Sequence, residues 1–292
     1  MKIILFSRAQ IAHTPEEIRQ LFDAIELFGF DYAVNEEFAP VVRQTAGIEL
    51  PPERVYGRHI GKQPAETVMV CYGGDGTLLE GVHRLCGAPV PVMGINAGHL
   101  GFLTSAPSAG LNLIFDDIAA GRITTEPRSL LRIEGDFDER PDSTLALNEF
   151  TVQRHGAGMI SVETYVDDQM VATYHGDGVI VSTPTGSTAY SLSAGGPVVA
   201  PTCRCLVISP LAPHNLTMRP VVIPDSGVIS LRVNARRSDA FVTLDDRTHP
   251  ISHGAAFTVR RAEQQIFLAV PHNISFYDTL RNKMMWGIDI RS

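Results

Sequence analysis

Residues 67–79, Thr-Val-Met-Val-Cys-Tyr-Gly-Gly-Asp-Gly-Thr-Leu-Leu, constrain this chain more than any other stretch. The first six are apolar, as in a strand buried on both faces. The last residues open a helical pattern. Between them lies Gly73-Gly74-Asp75-Gly76-Thr77. Glycines let the backbone take positive φ and let a ligand come close. Successive N–H groups in such a turn form an anion-binding concavity, to which a following helix adds its own N-terminal N–H groups. Asp75 is the odd member, because a turn built only for phosphate would avoid a carboxylate at its centre. An acid in a phosphate-shaped turn points to work on a hydroxyl or a metal beside the phosphate. A strand-to-helix turn with an Asp cap is the plainer alternative.

Around this stretch, strand and helix patterns alternate. Residues 2–7 read as a strand. Thr14-Pro15-Glu16-Glu17 reads as a helix start with a capping box and Pro at N1. Ile18, Leu21, Phe22, Ile25 and Phe28 then share one helical face, and Gly29 ends it. Strands are expected at 30–38, 67–72 and 91–95, and helices at 78–85 and 108–120. Residues 40–62, with Pro51-Pro52, read as a loop or lid. Such alternation gives an α/β domain with a parallel sheet. Ligands bind off the carboxyl ends of its strands, where both Gly73-Gly74-Asp75-Gly76 and Gly98-His99-Leu100-Gly101 fall.

Beyond about residue 122 the texture changes to short strands. Ile160, Val162, Thr164 and Val166 alternate with polar residues, as in a half-buried strand. The domains expected are 1–121, joined by a C-terminal helix in 276–292, and a mostly antiparallel, sandwich-like β domain over 122–275.

The bulk properties bound the function. The 292 residues carry 44% hydrophobic and 19% charged residues, which suits a soluble enzyme. A net charge of −8 gives no support to a nucleic-acid partner. No apolar run reaches the roughly 18 residues of a membrane span. Residues 1–6 are too short for a signal segment, so a cytoplasmic location with no membrane partner is expected. The four cysteines have no Cys-x-x-Cys spacing and are expected to be free and mostly buried thiols.

Three further constellations could carry chemistry. Asn148-Glu149 interrupts an apolar run; at a strand edge the pair suits ribose hydroxyls or a base edge, or simply faces solvent. Residues 175–191 open with His175-Gly176-Asp177-Gly178, run through an apolar strand and end in a hydroxyl-rich turn holding Thr183, Thr185, Ser187, Thr188, Tyr190 and Ser191. That density of donors and acceptors exceeds what a polar β-turn needs and suits a polar ligand. Ser187 lacks a nucleophile pattern with His and Asp, so a serine hydrolase is not indicated. Asp245-Asp246-Arg247 reads as a turn with a salt bridge.

Together these motifs resemble the NAD kinase family, which phosphorylates the 2′-hydroxyl of the adenosine ribose of NAD to give NADP. Gly73-Gly74-Asp75-Gly76-Thr77 is similar to that family's Gly-Gly-Asp-Gly motif, which diacylglycerol, sphingosine and 6-phosphofructo-kinases share. Gly98-His99-Leu100-Gly101-Phe102-Leu103, Asn148-Glu149 and the segment from Asp177-Gly178 to Gly196-Pro197 are similar to further family motifs, the last highly specific. The resemblance implies a Rossmann-like first domain of the diacylglycerol/NAD kinase type. It implies Asp75 as proton acceptor or metal helper, and Gly76 approaching the substrate by its backbone. Asn148 and Glu149 would bind the nucleoside. Asp177, Thr188, Ala189, Tyr190, Ser191, Leu192 and Ser193 would line the dinucleotide site. His175 stands where many relatives have Arg, Arg247 where some have Gln, and Glu80 where several carry a basic residue; His175 and Arg247 join the expected substrate contacts. ATP or polyphosphate as donor, Mg²⁺ held mainly by the donor phosphates, and a homodimer or homotetramer complete the expectation. A diacylglycerol-type lipid kinase and a non-catalytic dinucleotide sensor on the same fold stay open as alternatives.

Overall fold

In a computed structural model of the chain, residues 1–96, 101–104, 106–138, 143–235, 240–270 and 274–287 are described. They fall into two units, Met1–Pro127 with Ile266–Ser292, and Arg128–Gln265.

In the first unit the strands Lys2–Phe6, Asp31–Asn35, Val55–Tyr56, Thr67–Tyr72 and Val92–Asn96 are all parallel. Their spatial order is 55–56, 31–35, 2–6, 67–72, 92–96. Leu268 and the short strand Ala106–Pro107 both pair with the outer side of Val92–Asn96. The chain leaves Lys2–Phe6 toward one edge and Thr67–Tyr72 toward the other. These two neighbours therefore form the topological switch point, where a crevice opens at the carboxyl ends of a doubly wound sheet. Thr67–Tyr72 is buried throughout, as its unbroken apolar run requires.

Helix Pro15–Leu27 starts as expected. Thr14 caps it, the Thr14 hydroxyl accepting from the Glu17 N–H at 3.2 Å and the Glu17 carboxylate accepting from the Thr14 N–H at 2.8 Å. Ile18, Leu21, Phe22 and Ile25 are buried from this helix. Residues 40–62 are not the loop expected: they hold most of helix Ala39–Ala46, the 3₁₀ turn Pro52–Arg54 and strand Val55–Tyr56. The helix is only eight residues long and buries just Val42 and Ala46, too few apolar positions to show a period. Helix Asp75–Leu85 begins three residues before its apolar pattern, with Gly74 as N-cap and Asp75 in the first turn, where the helix dipole favours a carboxylate. The last helix, Phe276–Met284, is capped by a second box, Ser275 with Asp278.

The second unit packs two sheets over one core. The six-stranded sheet runs, all antiparallel, in the order Val221–Pro224, Cys205–Leu211, Gly178–Ser182, Glu149–Arg154, Ala240–Leu244, Arg247–Ile251. In the facing sheet, Gln169–Gly176, Ile160–Val166, Ile229–Asn234 and the first part of Ala256–Val270 are antiparallel neighbours. Ile160, Val162, Leu231, Val233 and Phe257 meet Phe150, Val152, Val179, Val181 and Val242 in the core. The alternation over 160–166 is realised with Ile160, Val162 and Thr164 inward. Two of the antiparallel strands, 221–224 and 247–251, carry too few inward apolar residues to be seen in the sequence.

The four cysteines are free, but only Cys71 is buried; Cys86 and Cys203 are exposed and Cys205 is intermediate. Cys86 and Cys203 sit in polar turns rather than in apolar runs, which explains the difference from the expectation. Among the described residues no helix is long and apolar enough to cross a membrane.

Replacing Thr14 with Ala removes one half of the capping box and is expected to lower stability by about 1 kcal/mol. Urea unfolding of the variant, followed by far-UV circular dichroism, measures this as a lower midpoint at an unchanged slope.

Candidate active site

The first group of site residues lies at the switch point. Asp75 does not project freely. Its Oδ2 accepts from the Phe102 N–H at 2.8 Å. Its Oδ1 accepts from the Leu103 and Thr104 N–H groups, at 3.2 and 3.0 Å, and from the Thr104 hydroxyl at 2.8 Å. The carboxylate thus gathers the turn at 102–104 onto the first turn of its own helix. Gly101 is required by this grip: a Cβ there would lie 1.8 Å from Asp75 Oδ1 and 2.4 Å from the Thr104 hydroxyl oxygen. The Gly73–Thr77 turn and residues 101–104, seen separately in the sequence, are therefore fitted to each other. Residues 98–100 of the second motif lie outside the described residues.

Arg8, which the sequence did not single out, comes from the turn after Lys2–Phe6. Its Nη1 sits 3.1 Å from where a Gly76 Cβ would be, so the absence of a side chain at 76 leaves a guanidinium over the glycine turn. Glu80 holds Arg8 through Nε at 2.7 Å and Arg84 at 2.8 Å. Arg84 is buried, pairs also with Glu37 at 2.8 Å and lies 4.8 Å above the Phe6 ring. A carboxylate at 80 thus fixes a cation beside the turn from across the switch point. Sheet order, which the sequence does not display, was the missing signal. Beneath Arg8 the crevice floor is polar. The Ser7 hydroxyl donates to the Tyr72 carbonyl at 2.7 Å, Asn35 bonds both the N–H and the C=O of Ser7, and the His13 ring, 2.9 Å from the Ser7 hydroxyl, stacks on Tyr72.

The second group lies in the β unit. Asn148 and Glu149 are both 7% exposed, so the solvent-facing alternative is wrong. Among the described residues Asn148 Oδ1 and Glu149 Oε2 have no hydrogen-bond partner. A buried carboxyl without a cation is costly when charged. Burial, reinforced by the negative charge of Asp245 and opposed by the Tyr190 N–H, pushes Glu149 up to about 8. Asp245, in a turn with φ 55°, is itself raised to about 6 by burial, against the pull of three backbone N–H groups and the Arg247 charge.

The hydroxyl-rich segment is used differently from what its density implied. Thr183 donates to the Leu147 carbonyl at 2.6 Å, and Ser187 donates to the Pro184 and Val199 carbonyls at 2.7 and 3.2 Å. Ser191 is buried and pairs with the Ser209 hydroxyl at 3.0 Å. Thr188 donates to the Thr185 carbonyl at 3.2 Å. These hydroxyls brace the loop itself. Gly186 allows that loop to close on the Asn148 backbone, since a Cβ there would stand 2.1 Å from the Asn148 carbonyl oxygen. What faces outward is Tyr190, 40% exposed, together with Ser193; Ala189 and Leu192 are half-buried.

Tyr190, Ser193, Asp177 and Arg154 line one open groove of about 430 Å³. Asp177 is held there by Arg154, with Nε at 2.6 Å and Nη2 at 3.3 Å. His175 is exposed and is not among the residues lining that groove. Arg247 donates from its guanidinium to the main-chain carbonyls of Ser143 and Leu145, at 2.7 and 2.5 Å.

A carboxylate gripped inside a glycine turn, at the carboxyl ends of a parallel sheet and beside a fixed guanidinium, defines a phosphotransferase acting on an alcohol group. The chain belongs to the NAD kinase family. Residues 42–123 match the ATP-NAD kinase N-terminal domain and residues 147–271 the ATP-NAD kinase C-terminal domain. It is similar to the NAD kinases of Flavobacterium psychrophilum and Bacteroides fragilis, each 34% identical over 100% of both chains. The NAD kinase of Porphyromonas gingivalis is 40% identical over 99% of both. In fold it is similar to yeast NADH kinase complexed with NADH (TM-score 0.84, 22% identity, 100% of this chain and 89% of that one). An NAD kinase from Archaeoglobus fulgidus in complex with ATP gives TM-score 0.70 at 24% identity over 98% of each chain. The lipid-kinase and sensor alternatives are not favoured.

Because the folded protein keeps Glu149 protonated to about pH 8, while an unfolded Glu titrates near about 4.3, the fold binds the extra proton between those values. Stability from this site is therefore full below the unfolded pKa and declines as pH rises toward 8. Glu149→Gln is expected to melt higher than the wild type above pH 8, with the gap closing toward pH 5, as read by thermal melts across that range.

Proposed function

We propose that this NAD kinase transfers the terminal phosphoryl group of ATP, or of polyphosphate, to the 2′-hydroxyl of the adenosine ribose of NAD, giving NADP. The observation that carries the reading is the Asp75 carboxylate, held by four donors in the turn where Arg8 lies over Gly76. Phosphoryl transfer asks little covalent chemistry of a protein; it asks for in-line positioning and neutralised charge.

In this reading the N–H groups at the start of helix Asp75–Leu85 and the Arg8 guanidinium receive donor phosphate oxygens. Asp75 accepts the proton of the attacking hydroxyl, and its rigid grip on residues 102–104 keeps it aimed. Gly76 lets the substrate approach main chain. The unpartnered Asn148 Oδ1 and Glu149 Oε2 meet polar atoms of the nucleoside, and Asp177, Tyr190 and Ser193 line the groove for the rest of the dinucleotide. Thr188, Ala189, Ser191 and Leu192 shape that groove through the backbone of their loop, and Arg247 acts indirectly, by bracing the chain before Asn148. His175 is assigned a contact only in an assembled homodimer or homotetramer, the state we infer, in a cytoplasmic setting.

A divalent cation such as Mg²⁺ fits this site on the donor phosphates. Both Asp75 oxygens already accept hydrogen bonds, so a protein-only cation cage is not what this carboxylate builds. When bound, the cation neutralises phosphate charge.

A matrix of ATP and polyphosphate against NAD, NADH and diacylglycerol, run on the purified protein, tests the reading; NAD bound without NADP formed would overturn it. Asp75→Asn is expected to lower kcat by about 10²–10⁴-fold, the range of a lost general base, with an unchanged melting curve. Arg8→Ala is expected to weaken use of the donor while leaving KM for NAD in place.

A further inference from the structure

The unexplained feature of the β unit is Asp245. It is half-buried in a tight turn, and its carboxylate contacts the main chain. Oδ2 accepts from the Leu147 N–H at 2.8 Å, and Oδ1 accepts from the Asn148 and Glu149 N–H groups at 2.7 and 3.2 Å. In return the Asp245 N–H donates to the Glu149 carbonyl at 3.0 Å. Three successive N–H groups converging on one carboxylate form the concave arrangement that ordinarily receives a free anion. Here the anion belongs to the protein. Successive residues of a regular strand point their N–H groups alternately to opposite sides. Convergence of 147, 148 and 149 therefore breaks the strand, which is why Leu145–Ala146 and Glu149–Arg154 are separate elements. The Asn148 and Glu149 side chains are buried there, and each keeps an oxygen unpartnered among the described residues.

We infer that Asp245 is a positioning residue of the kinase: its carboxylate preforms the main chain at 147–149, so that Asn148 and Glu149 meet the nucleoside of NAD without reordering. The inference rests on the proposed role of that pair. It gives a reason for the tolerance of a half-buried negative charge, since three N–H groups and the nearby Arg247 offset its desolvation. It also separates Asp245 from the Thr151–Thr243 hydroxyl pair of the same hairpin, at 2.7 Å.

Asp245→Asn keeps the shape but turns an NH₂ group toward N–H donors. KM for NAD is expected to rise by roughly tenfold or more, the scale of buried amides left unpaired, with KM for ATP unchanged. A merely structural role would instead lower the active fraction and reduce kcat for both substrates equally. Thr243→Val, a lesion in the same hairpin, is expected to lower the melting temperature while KM for NAD stays at its wild-type value. Glu149→Gln is assayed alongside. If it leaves KM for NAD unmoved, the reading of the pair as a nucleoside contact fails. If it raises KM but Asp245→Asn does not, the positioning role alone is overturned. Should Asp245→Asn not fold, amide hydrogen exchange on the wild-type protein decides. Protection at Leu147, Asn148 and Glu149 before NAD is added supports preformation, and loop-like exchange that slows only with NAD overturns it.

Discussion

The hold of Asp75 on the turn at 102–104 is the interaction on which the first unit's site depends. A carboxylate at the start of a helix is ordinary, since the dipole welcomes it. A carboxylate that also accepts from three backbone N–H groups and a hydroxyl of a distant turn is a joint. It ties the end of one strand to the segment following the next. The same joint explains why glycine stands at 101, where any side chain would displace the acid. Positioning, rather than reactivity, is what such a joint supplies to phosphoryl transfer.

Asp245 repeats the device in the second unit, with a different result. There the acid gathers consecutive N–H groups of one strand break beside two buried polar side chains. Glu149, left beside it with one bare oxygen, is driven toward its neutral form by burial first and by Asp245 second. A neutral carboxyl can donate as well as accept. Glu149 thereby presents both kinds of hydrogen bond, where its residue type suggests only an acceptor.

Much of this was legible in the sequence. The strand at 67–72, the capped helix from Pro15 and the alternation over 160–166 follow from burial pattern and cap chemistry, which are local. Asn148 and Glu149 were visible as a polar pair in an apolar run, Asp75 and Asp177 as acids set between glycines. Their partners were not. Arg8 meets Gly76, and Asp245 meets the main chain at 147–149, across separations of 68 and about 97 residues that only the sheet order closes. The hydroxyl-rich segment misled in the opposite sense: counting Thr and Ser groups cannot tell those that face a groove from those, like Ser187 and Ser191, that tie the loop to itself or to a neighbouring strand.

The ion pair between Arg8 and Glu80 bears on how substrates arrive. Two opposite charges 2.7 Å apart form a dipole whose field fades quickly with distance, so the guanidinium is felt by a phosphate only near contact. Farther out an incoming nucleotide meets the net charge of −8. Diffusional capture of these anionic substrates is therefore opposed at long range, and ions in solution, by shortening that repulsion, ease the approach rather than weaken it. Approach of an anion to the glycine turn is thus governed by screening at a distance and by Arg8 only near contact.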